Sequence, residues 1–397
     1  MRALYLPGSL RVGGGALKGL PDALRQIGLS SPLIVTDPFM AKSGPLDRVL
    51  EILAAAGIVP RVFAEVVPDP TVASVQAALA MLHGAGGASG DASGHAGGHD
   101  CVIGLGGGSP IDTAKMVAIL AAHPGTPRDF KFPHIQDTAG LPIIAIPTTA
   151  GTGSEATRMT IITDEVTHEK MLCVGAAYLP RIAIVDFELT LSKPWRLTAD
   201  TGIDALTHAI EAYVSRQANP FADALALAAM QAIWPNVALA CTEPSNRAAR
   251  EAMMLGALQA GMAFSNASVA LVHGMSRPIG AHFHVAHGLS NAMLLPAVTA
   301  WSISGAEARY ATCARTMGIA PMMAPDPEAA QALVAALRAK NIELDVPTPR
   351  HYGIDPGQWT KLLPLMAEQA LASGSPANNP RVPDAAGIID LYRAVWN

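Results

Sequence analysis

The sequence predicts an α/β domain followed by an all-helical domain, and two observations carry this prediction. Up to about residue 187, short apolar runs rich in β-branched residues alternate with helical segments, which is typical of parallel strands joined by crossover helices. From about residue 198 the apolar spacing is helical throughout, without the alternation of a half-exposed strand. We therefore place the domain boundary at 187/188, which gives domains of residues 1–187 and 188–397.

The strands of the first domain are predicted from apolar runs that end at Gly, Pro or Asp, a pattern typical of buried parallel strands. The helices between them are predicted from apolar residues at helical spacing. The predicted strands are 32–37, 61–65, 101–105, 141–147 and 182–186, and the predicted helices are 17–27, 46–56, 72–82 and one that begins after Ser109.

The second domain is rich in Ala, Leu and Met. Its apolar stripes recur every three to four residues, so the segments are predicted to be amphipathic helices. The predicted helices are 200–214, 222–239, 247–264, 291–301, 307–317, 328–340, 359–368 and 384–396.

Composition excludes several classes of protein. Half of the 397 residues are hydrophobic, 15% are charged and the net charge is -5. A chain without a basic block is a poor candidate for binding nucleic acid, so no nucleic-acid partner is expected. The four widely spaced cysteines form no CxxC and indicate reduced thiols in a cytoplasmic protein. No signal peptide and no uninterrupted apolar run of membrane-spanning length is evident, so no membrane partner is expected either.

Residues 84–99 are a low-complexity stretch of Gly, Ala, Ser and His. Such a composition buries little apolar surface, so we expect a flexible insertion in the first domain. His83, His95 and His99 are close enough in sequence to be considered a metal-binding tract, but a mobile surface loop is the favoured interpretation.

A Gly-rich turn follows the strand 101–105. Gly106, Gly107 and Gly108 allow backbone amides to approach a phosphate, and the N-terminus of the next helix favours its negative charge. Ser109 is predicted as the N-cap, with Asp112 at the third helical position. The turn is neither a P-loop nor a clean GxGxxG motif, so by itself it is only a modest indication of phosphate binding.

A second turn, rich in hydroxyl groups, follows the strand 141–147. It contains Thr148, Thr149, Thr152 and Ser154, and a segment of this kind at the end of a parallel strand indicates a ligand-binding edge rather than an ordinary polar loop. The strand 32–37 also ends in a polar residue, Asp37, in the position of an acid that binds ribose hydroxyls.

The second domain contains a candidate metal site. Asp204 and His208 are an i, i+4 pair on the predicted helix 200–214, and their side chains project from one face. His273 and His287 could complete a four-ligand set, although His282 and His284 lie nearby and spacing alone does not choose among these histidines. One carboxylate and three imidazoles suit Fe²⁺ or Zn²⁺ better than Mg²⁺ or Ca²⁺.

These segments resemble those of a known family. Asp-Ala-Leu-Thr-His-Ala-Ile-Glu-Ala-Tyr (204–213) and His-Gly-Met-Ser-Arg-Pro-Ile-Gly-Ala (273–281) with His-Gly-Leu-Ser-Asn-Ala-Met-Leu-Leu-Pro (287–296) are similar to the metal-binding segments of the iron-containing (group III) alcohol dehydrogenases. The resemblance covers most of the chain. It implies a dinucleotide-binding α/β domain, an all-α catalytic domain of the dehydroquinate synthase-like type, and Asp204, His208, His273 and His287 as metal ligands.

The resemblance also implies the cofactor-binding residues. Gly-Gly-Gly-Ser-Pro-Ile-Asp-Thr-Ala-Lys (106–115) is similar to the family segment that holds the pyrophosphate of NAD, and Thr-Thr-Ala-Gly-Thr-Gly-Ser-Glu (148–155) to one that lines the nucleotide. Lys170 matches a family lysine near the ribose and nicotinamide. An acid at Asp37 would disfavour the 2′-phosphate of NADP, so NAD is the expected cofactor. The residues expected at the cofactor are Asp37, Gly106, Gly107, Gly108, Ser109, Asp112, Thr148, Thr149, Thr152, Ser154 and Lys170.

The expected activity is reversible hydride transfer between a small alcohol and NAD, with Fe²⁺ (or Zn²⁺) polarising the substrate oxygen. We expect a homodimer or higher homo-oligomer whose partner is a small alcohol or aldehyde. Glycerol dehydrogenases, dehydroquinate synthases and metal-free maleylacetate reductases are more distant alternatives on the same scaffold. A non-catalytic nucleotide- or metal-binding protein is the alternative from another class.

At one position the chain departs from the family pattern. The family often has a second histidine four residues after the first ligand of this segment, where this chain has Arg277. A guanidinium is a poor proton shuttle but holds a carboxylate, sulfonate or phosphate well. Arg277 is therefore expected either to pair with a local acid or a cofactor phosphate, or to reach an anionic substrate. In the latter case the alcohol proton would leave through water, His282 or His284.

Overall fold

The computed structural model describes residues 3–84, 98–167 and 169–397. The chain divides into two compact units, Met1–Ser192 and Lys193–Asn397, so the dividing point lies a few residues after the expected 187/188. Of the expected flexible insertion 84–99, residues 85–97 lie outside the described residues.

The first unit is built on a parallel sheet. Six strands pair in the order β1-β8-β5-β4-β2-β3, all parallel, and β6 and β7 form a separate antiparallel pair. The strands are β1 (Leu10–Val12), β2 (Pro32–Val35), β3 (Arg61–Phe63), β4 (Cys101–Gly106), β5 (Ile143–Pro147), β6 (Met159–Asp164), β7 (Glu169–Val174) and β8 (Ile182–Val185).

Every residue of β2, β4, β5 and β8 is buried, because helices cover both faces of this sheet. Alternate strand residues enter two separate apolar clusters, one shared with α4 and α5 and the other with α1 and α3. The helices of this unit are α1 (Leu20–Gln26), α2 (Pro38–Lys42), α3 (Pro45–Ala55), α4 (Val72–His83) and α5 (Gly108–Leu120).

The predicted parallel sheet with crossover helices is confirmed, one element was missed and one local prediction was wrong. The hairpin β6–β7 was not predicted. Helix α5 begins at Gly108, with Gly107 as its N-cap, so Ser109 is inside the helix and does not cap it. The physical reason is Gly106, whose φ of 147° turns the chain immediately after the strand and starts the helix earlier.

The second unit is helical throughout residues 193–397, all of which are described. Helix α6 packs against α7, α8 and α10, while α9 packs against α10 and α14. The helices are α6 (Trp195–Val214), α7 (Pro220–Thr242), α8 (Arg247–Asn266), α9 (Leu271–Phe283), α10 (His287–Ser302), α11 (Glu307–Thr316), α12 (Asp326–Glu343), α13 (Pro349–Tyr352), α14 (Pro356–Ala372) and α15 (Ala385–Ala394).

Helix α7 is long and apolar enough to cross a membrane by length and composition alone, and so is the bent pair α8–α9. Its sequence is not an uninterrupted apolar run, because α7 contains Asp223, Gln231 and Asn236. In the structure α7 packs along α6 and α8.

Candidate functional site

The sheet of the first unit has a topological switch point between β2 and β4. From β2 the chain proceeds outward to β3 and then returns to the other side of β2, where β4 and β5 follow. Ligands of open parallel sheets bind beyond the carboxyl ends of the strands at such a point. Asp37 follows β2 and the glycine turn follows β4, so the structure brings these two predicted segments to one place.

The glycine turn is closely surrounded. A Cβ at Gly106 would lie 3.3 Å from Asp37 Oδ2, at Gly107 3.4 Å from Thr149 Oγ1, and at Gly108 3.0 Å from Thr152 Cγ2. The three glycines therefore present backbone, not side chain, between Asp37 and the threonine turn. No side chain among the described residues caps the N-terminus of α5, which leaves the first-turn amides for a ligand. This cradle fits a pyrophosphate.

Asp37 has two functions in this arrangement. Its Oδ1 accepts hydrogen bonds of 2.9 Å from the amides of Phe39 and Met40 and so caps α2. Its Oδ2 is the oxygen near Gly106. The carboxylate is thus fixed by the helix that it caps and directs its second oxygen towards the cradle.

Other predicted cofactor residues hold the cradle together. Ser154 Oγ donates to Asp112 Oδ1 at 2.6 Å, and the amide of Ile161 donates to Asp112 Oδ2 at 3.0 Å. Asp112 therefore ties α5 to the threonine turn and to β6. The backbone amide of Thr148 donates to Gly106 O at 2.9 Å, and Ser109 O accepts from Thr113. Asp112 and Ser154 act on the shape of the cradle.

Lys170, on β7, forms an ion pair of 2.8 Å with Asp69. Asp69 has a left-handed backbone with φ of 54° and directly precedes Pro70. The structure thus gives Lys170 a carboxylate partner that the sequence had not indicated.

Two buried titratable side chains, Lys115 and Glu155, influence each other electrostatically, and the sequence had not indicated their burial. Lys115 Nζ donates to Thr157 O, Thr157 Oγ1 and Met159 O, and its side chain is fully buried. Burial lowers the pKa of Lys115 to about 8, although Asp112 and Glu155 oppose the shift. Burial raises the pKa of Glu155 to about 7. Both groups are close to the Gly106–Ser109 and Thr148–Ser154 turns in sequence.

Three helices of the second unit bring the predicted metal ligands together. Helix α6 carries Asp204 and His208 one turn apart, α9 carries His273 in its first turn, and α10 begins with His287. From Asp204 Oδ1 the Nε2 atoms of His273, His287 and His208 are 3.5, 3.7 and 4.0 Å away.

The donor set fits a divalent transition-metal ion. Tetrahedral ligand atoms about 2.1 Å from an ion lie roughly 3.4 Å from one another. The three distances from Asp204 Oδ1, 3.5, 3.7 and 4.0 Å, are close to that value. Asp204, His208 and His273 are buried, while the side chain of His287 is 33% exposed, so the cluster has one accessible side. Burial opposes ionisation of Asp204, but the neighbouring imidazoles hold its pKa well below its usual range.

Glu211 fixes the orientation of His273. His273 Nδ1–H donates to Glu211 Oε2 at 2.6 Å, and the amides of Ala270 and Val272 donate to the same carboxylate at 2.9 and 2.6 Å. In its neutral form, with the proton on Nδ1, His273 presents a lone pair on Nε2 to an ion in the cluster. Burial disfavours the imidazolium, but Glu211 and Asp204 outweigh it and raise the pKa of His273 to about 9, so the cluster attracts positive charge.

Asn291 completes the cluster from α10, one turn after His287. Its Nδ2 donates to Asp204 Oδ1 at 2.7 Å and lies 3.1 Å from His273 Nε2 and 3.3 Å from His287 Nε2. A carboxylate oxygen and two imidazole nitrogens thus converge on one amide nitrogen, and the Asn291 Oδ1 is buried with no hydrogen-bond partner among the described residues. A carboxylate and imidazoles gathered in a buried space are ligand types that suit a transition-metal cation.

Gly288 allows α10 to approach α6 closely enough to place His287. A Cβ at this position would lie 2.3 Å from Asp200 O and 3.3 Å from Asp204 Cβ. Any side chain here would push the two helices apart, so the glycine next to His287 is required by this contact.

Two histidines that were expected as alternatives for proton transfer lie elsewhere. His282 Nε2 is 2.8 Å from Gln369 Oε1 of α14. Nine residues of α-helix place it on the side of α9 opposite to His273. His284 ends α9 in the left-handed conformation and is exposed. Within the described residues neither His282 nor His284 hydrogen-bonds to a member of the metal cluster, so a proton path through them stays a prediction.

Arg277 is on the same side of α9 as His273, one turn further along. It is partly buried. Burial lowers the pKa of Arg277, and the Glu211 carboxylate partly offsets that shift, but a guanidinium remains protonated.

Known proteins share both halves of this architecture. A family model described as iron-containing alcohol dehydrogenase matches residues 7–187, and the C-terminal model of the Fe-containing alcohol dehydrogenase family matches residues 198–396. Lactaldehyde reductase of Escherichia coli (strain K12) is 36% identical over 392 residues, which cover 97% of each chain.

Solved structures of alcohol and aldehyde oxidoreductases are similar to this chain over its whole length. A 1,3-propanediol oxidoreductase superposes with a TM-score of 0.92 at 34% identity, with 100% of both chains covered. A sulfoacetaldehyde reductase from Bifidobacterium kashiwanohense in complex with NAD⁺ superposes with a TM-score of 0.87 at 26% identity, covering 100% of this chain and 99% of that one. With its metal-type donor cluster, its cradle and these relatives over its whole length, the chain is an oxidoreductase that belongs to the iron-containing alcohol dehydrogenase family.

Proposed function

We propose that the protein interconverts small aldehydes and alcohols with Fe²⁺ in the cluster of the second unit and NAD in the cradle of the first. In the reducing direction the carbonyl carbon of the aldehyde gains a hydride and its oxygen gains a proton. The observation that carries the proposal is the convergence of Asp204, His208 and His273 in one buried cluster, with His287 Nε2 3.7 Å from Asp204 Oδ1 on its accessible side.

When bound, the nicotinamide supplies the hydride and the ion supplies a Lewis acid for the substrate oxygen. The side chains of this protein position the ion and its ligands. Asp204 and the three histidines hold the ion, Glu211 fixes the tautomer of His273, and Asn291 donates to Asp204. A metal-free maleylacetate reductase-like reaction is less well supported, because this chain retains the complete donor set.

NAD is proposed over NADP because of Asp37. Its Oδ2 lies at the cradle beyond β2, where a carboxylate accepts hydrogen bonds from a ribose diol and repels a 2′-phosphate. The ratio of kcat/KM for NADH to that for NADPH measures this preference, and a ratio below one would contradict it.

A homo-oligomer is proposed from the edge of the sheet. Within the described residues, strand β1 is hydrogen-bonded on one side, to β8, and its Leu10 and Val12 are exposed. The free edge of an apolar edge strand is a site where a second copy can add. Light scattering of the purified protein gives the oligomeric state, and a monomer at micromolar concentration would rule this proposal out.

The central experiment removes metal ligands. Asp204→Ala and His287→Ala are each expected to abolish stoichiometric iron and to lower aldehyde reduction by orders of magnitude after anaerobic Fe²⁺ loading. Binding of NADH, measured by fluorescence, is expected to persist, because the cradle residues are Asp37, Gly106–Ser109 and the threonine turn.

His351→Ala is the matched control, since His351 is exposed and is bonded only to Thr348 among the described residues. It is expected to keep both iron and activity. Wild-type iron content in the Asp204 or His287 variants would refute the ligand assignment. Metal-replete wild-type protein without turnover of any aldehyde would refute the activity.

A further inference from the structure

Arg277 differs in burial from its neighbours on α9. From Leu271 to Gly280 every residue of this helix is buried except Arg277, which is partly exposed. Arg277 is therefore the one residue of this stretch that is open in part to solvent, while its guanidinium is largely desolvated.

Arg277 has no dedicated counter-ion. Within the described residues it makes no ion pair and no hydrogen bond, and the carboxylate whose charge acts on it is Glu211. That carboxylate is already engaged by His273 Nδ1–H and by the amides of Ala270 and Val272. A partly buried cation without its own acid is a binding position for an anion.

The position of this cation relative to the cluster is set by the helix. His273 and Arg277 are four residues apart, so their side chains project from the same face, separated by one turn of about 6 Å along the axis. His287, the partly exposed member of the cluster, marks the accessible side of the donor set. A ligand that reaches His287 and extends along α9 meets Arg277.

We propose that Arg277 binds an anionic group of the substrate, so that the preferred substrates are aldehydes and alcohols that carry a carboxylate or sulfonate a few carbons from the reacting carbon. The planar fork of the guanidinium pairs with two oxygens of such a group. The inference rests on the proposed function for the reaction itself, whose hydride and proton transfers are unchanged, and adds the substrate class.

The test compares two aldehydes of equal carbon chain length, butanal and succinic semialdehyde, in the wild type, Arg277→Gln and Arg277→Lys. The wild type is expected to favour succinic semialdehyde in kcat/KM by roughly tenfold to a hundredfold. Arg277→Gln is expected to bring this ratio close to one by losing the anionic substrate, and Arg277→Lys to give an intermediate ratio.

Arg338→Gln is the matched control, because it removes the same charge from an exposed position on α12. Its ratio is expected to equal that of the wild type. A wild-type ratio near one, or a preference that survives Arg277→Gln, would overturn the proposal. So would an equal loss on both aldehydes with a raised KM for NADH, since that result assigns Arg277 to the cofactor.

A binding measurement keeps this proposal separate from the proposed activity. Calorimetric titration of the NADH-saturated protein with 4-hydroxybutyrate and with 1-butanol compares an anionic and a neutral alcohol without turnover. The anionic alcohol is expected to bind at least tenfold more tightly, and Arg277→Gln to abolish the difference. If the protein reduces butanal but binds the two alcohols equally, the proposed activity stands and the substrate class is refuted. If it binds 4-hydroxybutyrate more tightly but turns over no aldehyde, the anion site stands and the proposed activity is refuted.

Discussion

At the residue scale, burial of the Glu155 carboxyl group makes the free energy of unfolding depend on pH. The side chain is 2% exposed, and its pKa is raised from 4.5 to about 7. Between these two values the folded protein binds more protons than the unfolded chain, so this group lowers stability as pH rises through the window. The shift corresponds to roughly 3 kcal/mol.

Glu155→Gln is therefore expected to remove this dependence. Relative to the wild type, the variant should gain unfolding free energy between pH 5 and pH 8, on the order of 2–3 kcal/mol, in urea denaturation of the first unit. Glu65→Gln is the control, because Glu65 is exposed on the same unit and should show no such gain. Parallel pH curves for Glu155→Gln and wild type would show that Glu155 ionises normally.

At the same scale, the sequence predicted some site residues and missed others for a physical reason. Asp204 and His208 are local neighbours on a helix, so spacing alone suggested the pair. Glu211 lies three residues after His208 on the same face, and Asn291 lies four after His287, so helical periodicity could have found both. Lys115 and Glu155 left no local signal, because their burial depends on packing between segments distant in sequence.

At the scale of elements, strands and long helices were predicted well because each carries its own apolar pattern. Helix α9 was not predicted, since Gly274, Pro278 and Gly280 interrupt its sequence, and this is why the choice among His273, His282 and His284 stayed open. Once α9 is a helix, its geometry places His282 opposite His273. The hairpin β6–β7 was missed although Thr160–Thr163 is rich in β-branched residues.

The contact between α6 and α10 gives a prediction for an element. Gly288→Ala places a Cβ 2.3 Å from Asp200 O, so α10 must move away from α6 and carry His287 and Asn291 with it. Overpacking of this kind is expected to cost about 1–3 kcal/mol, and iron affinity should fall at least tenfold.

Gly357→Ala is the control for that substitution. Gly357 is exposed in α14, and a Cβ there would meet only Asp355 Oδ1, at 3.2 Å. Its thermal stability and iron affinity are expected to match the wild type. Unchanged iron affinity in Gly288→Ala would show that the α6–α10 distance does not control the cluster.

At the scale of the whole molecule, metal removal is expected to affect the two units differently. The proposed ligands all lie in the second unit, so an ion that binds only the folded state stabilises that unit. After chelation, amide hydrogen exchange is expected to accelerate in α6, α9 and α10 and to stay unchanged in β2, β4 and α5. His287→Ala should not respond to the chelator. Equal acceleration in both units would contradict the proposed location of the ion.

The spacing of the ligands along the chain has a consequence beyond chemistry. Asp204 and His287 are about 80 residues apart, so an ion held by both joins distant parts of the folded chain and leaves when the second unit unfolds. Its contribution to stability therefore follows the supply of metal, and reaches about 4 kcal/mol when the free ion is at a thousand times its Kd. Scarcity of metal would then reduce the lifetime of the protein in the cell and not only its rate of turnover, because the loosened helices become accessible to proteases.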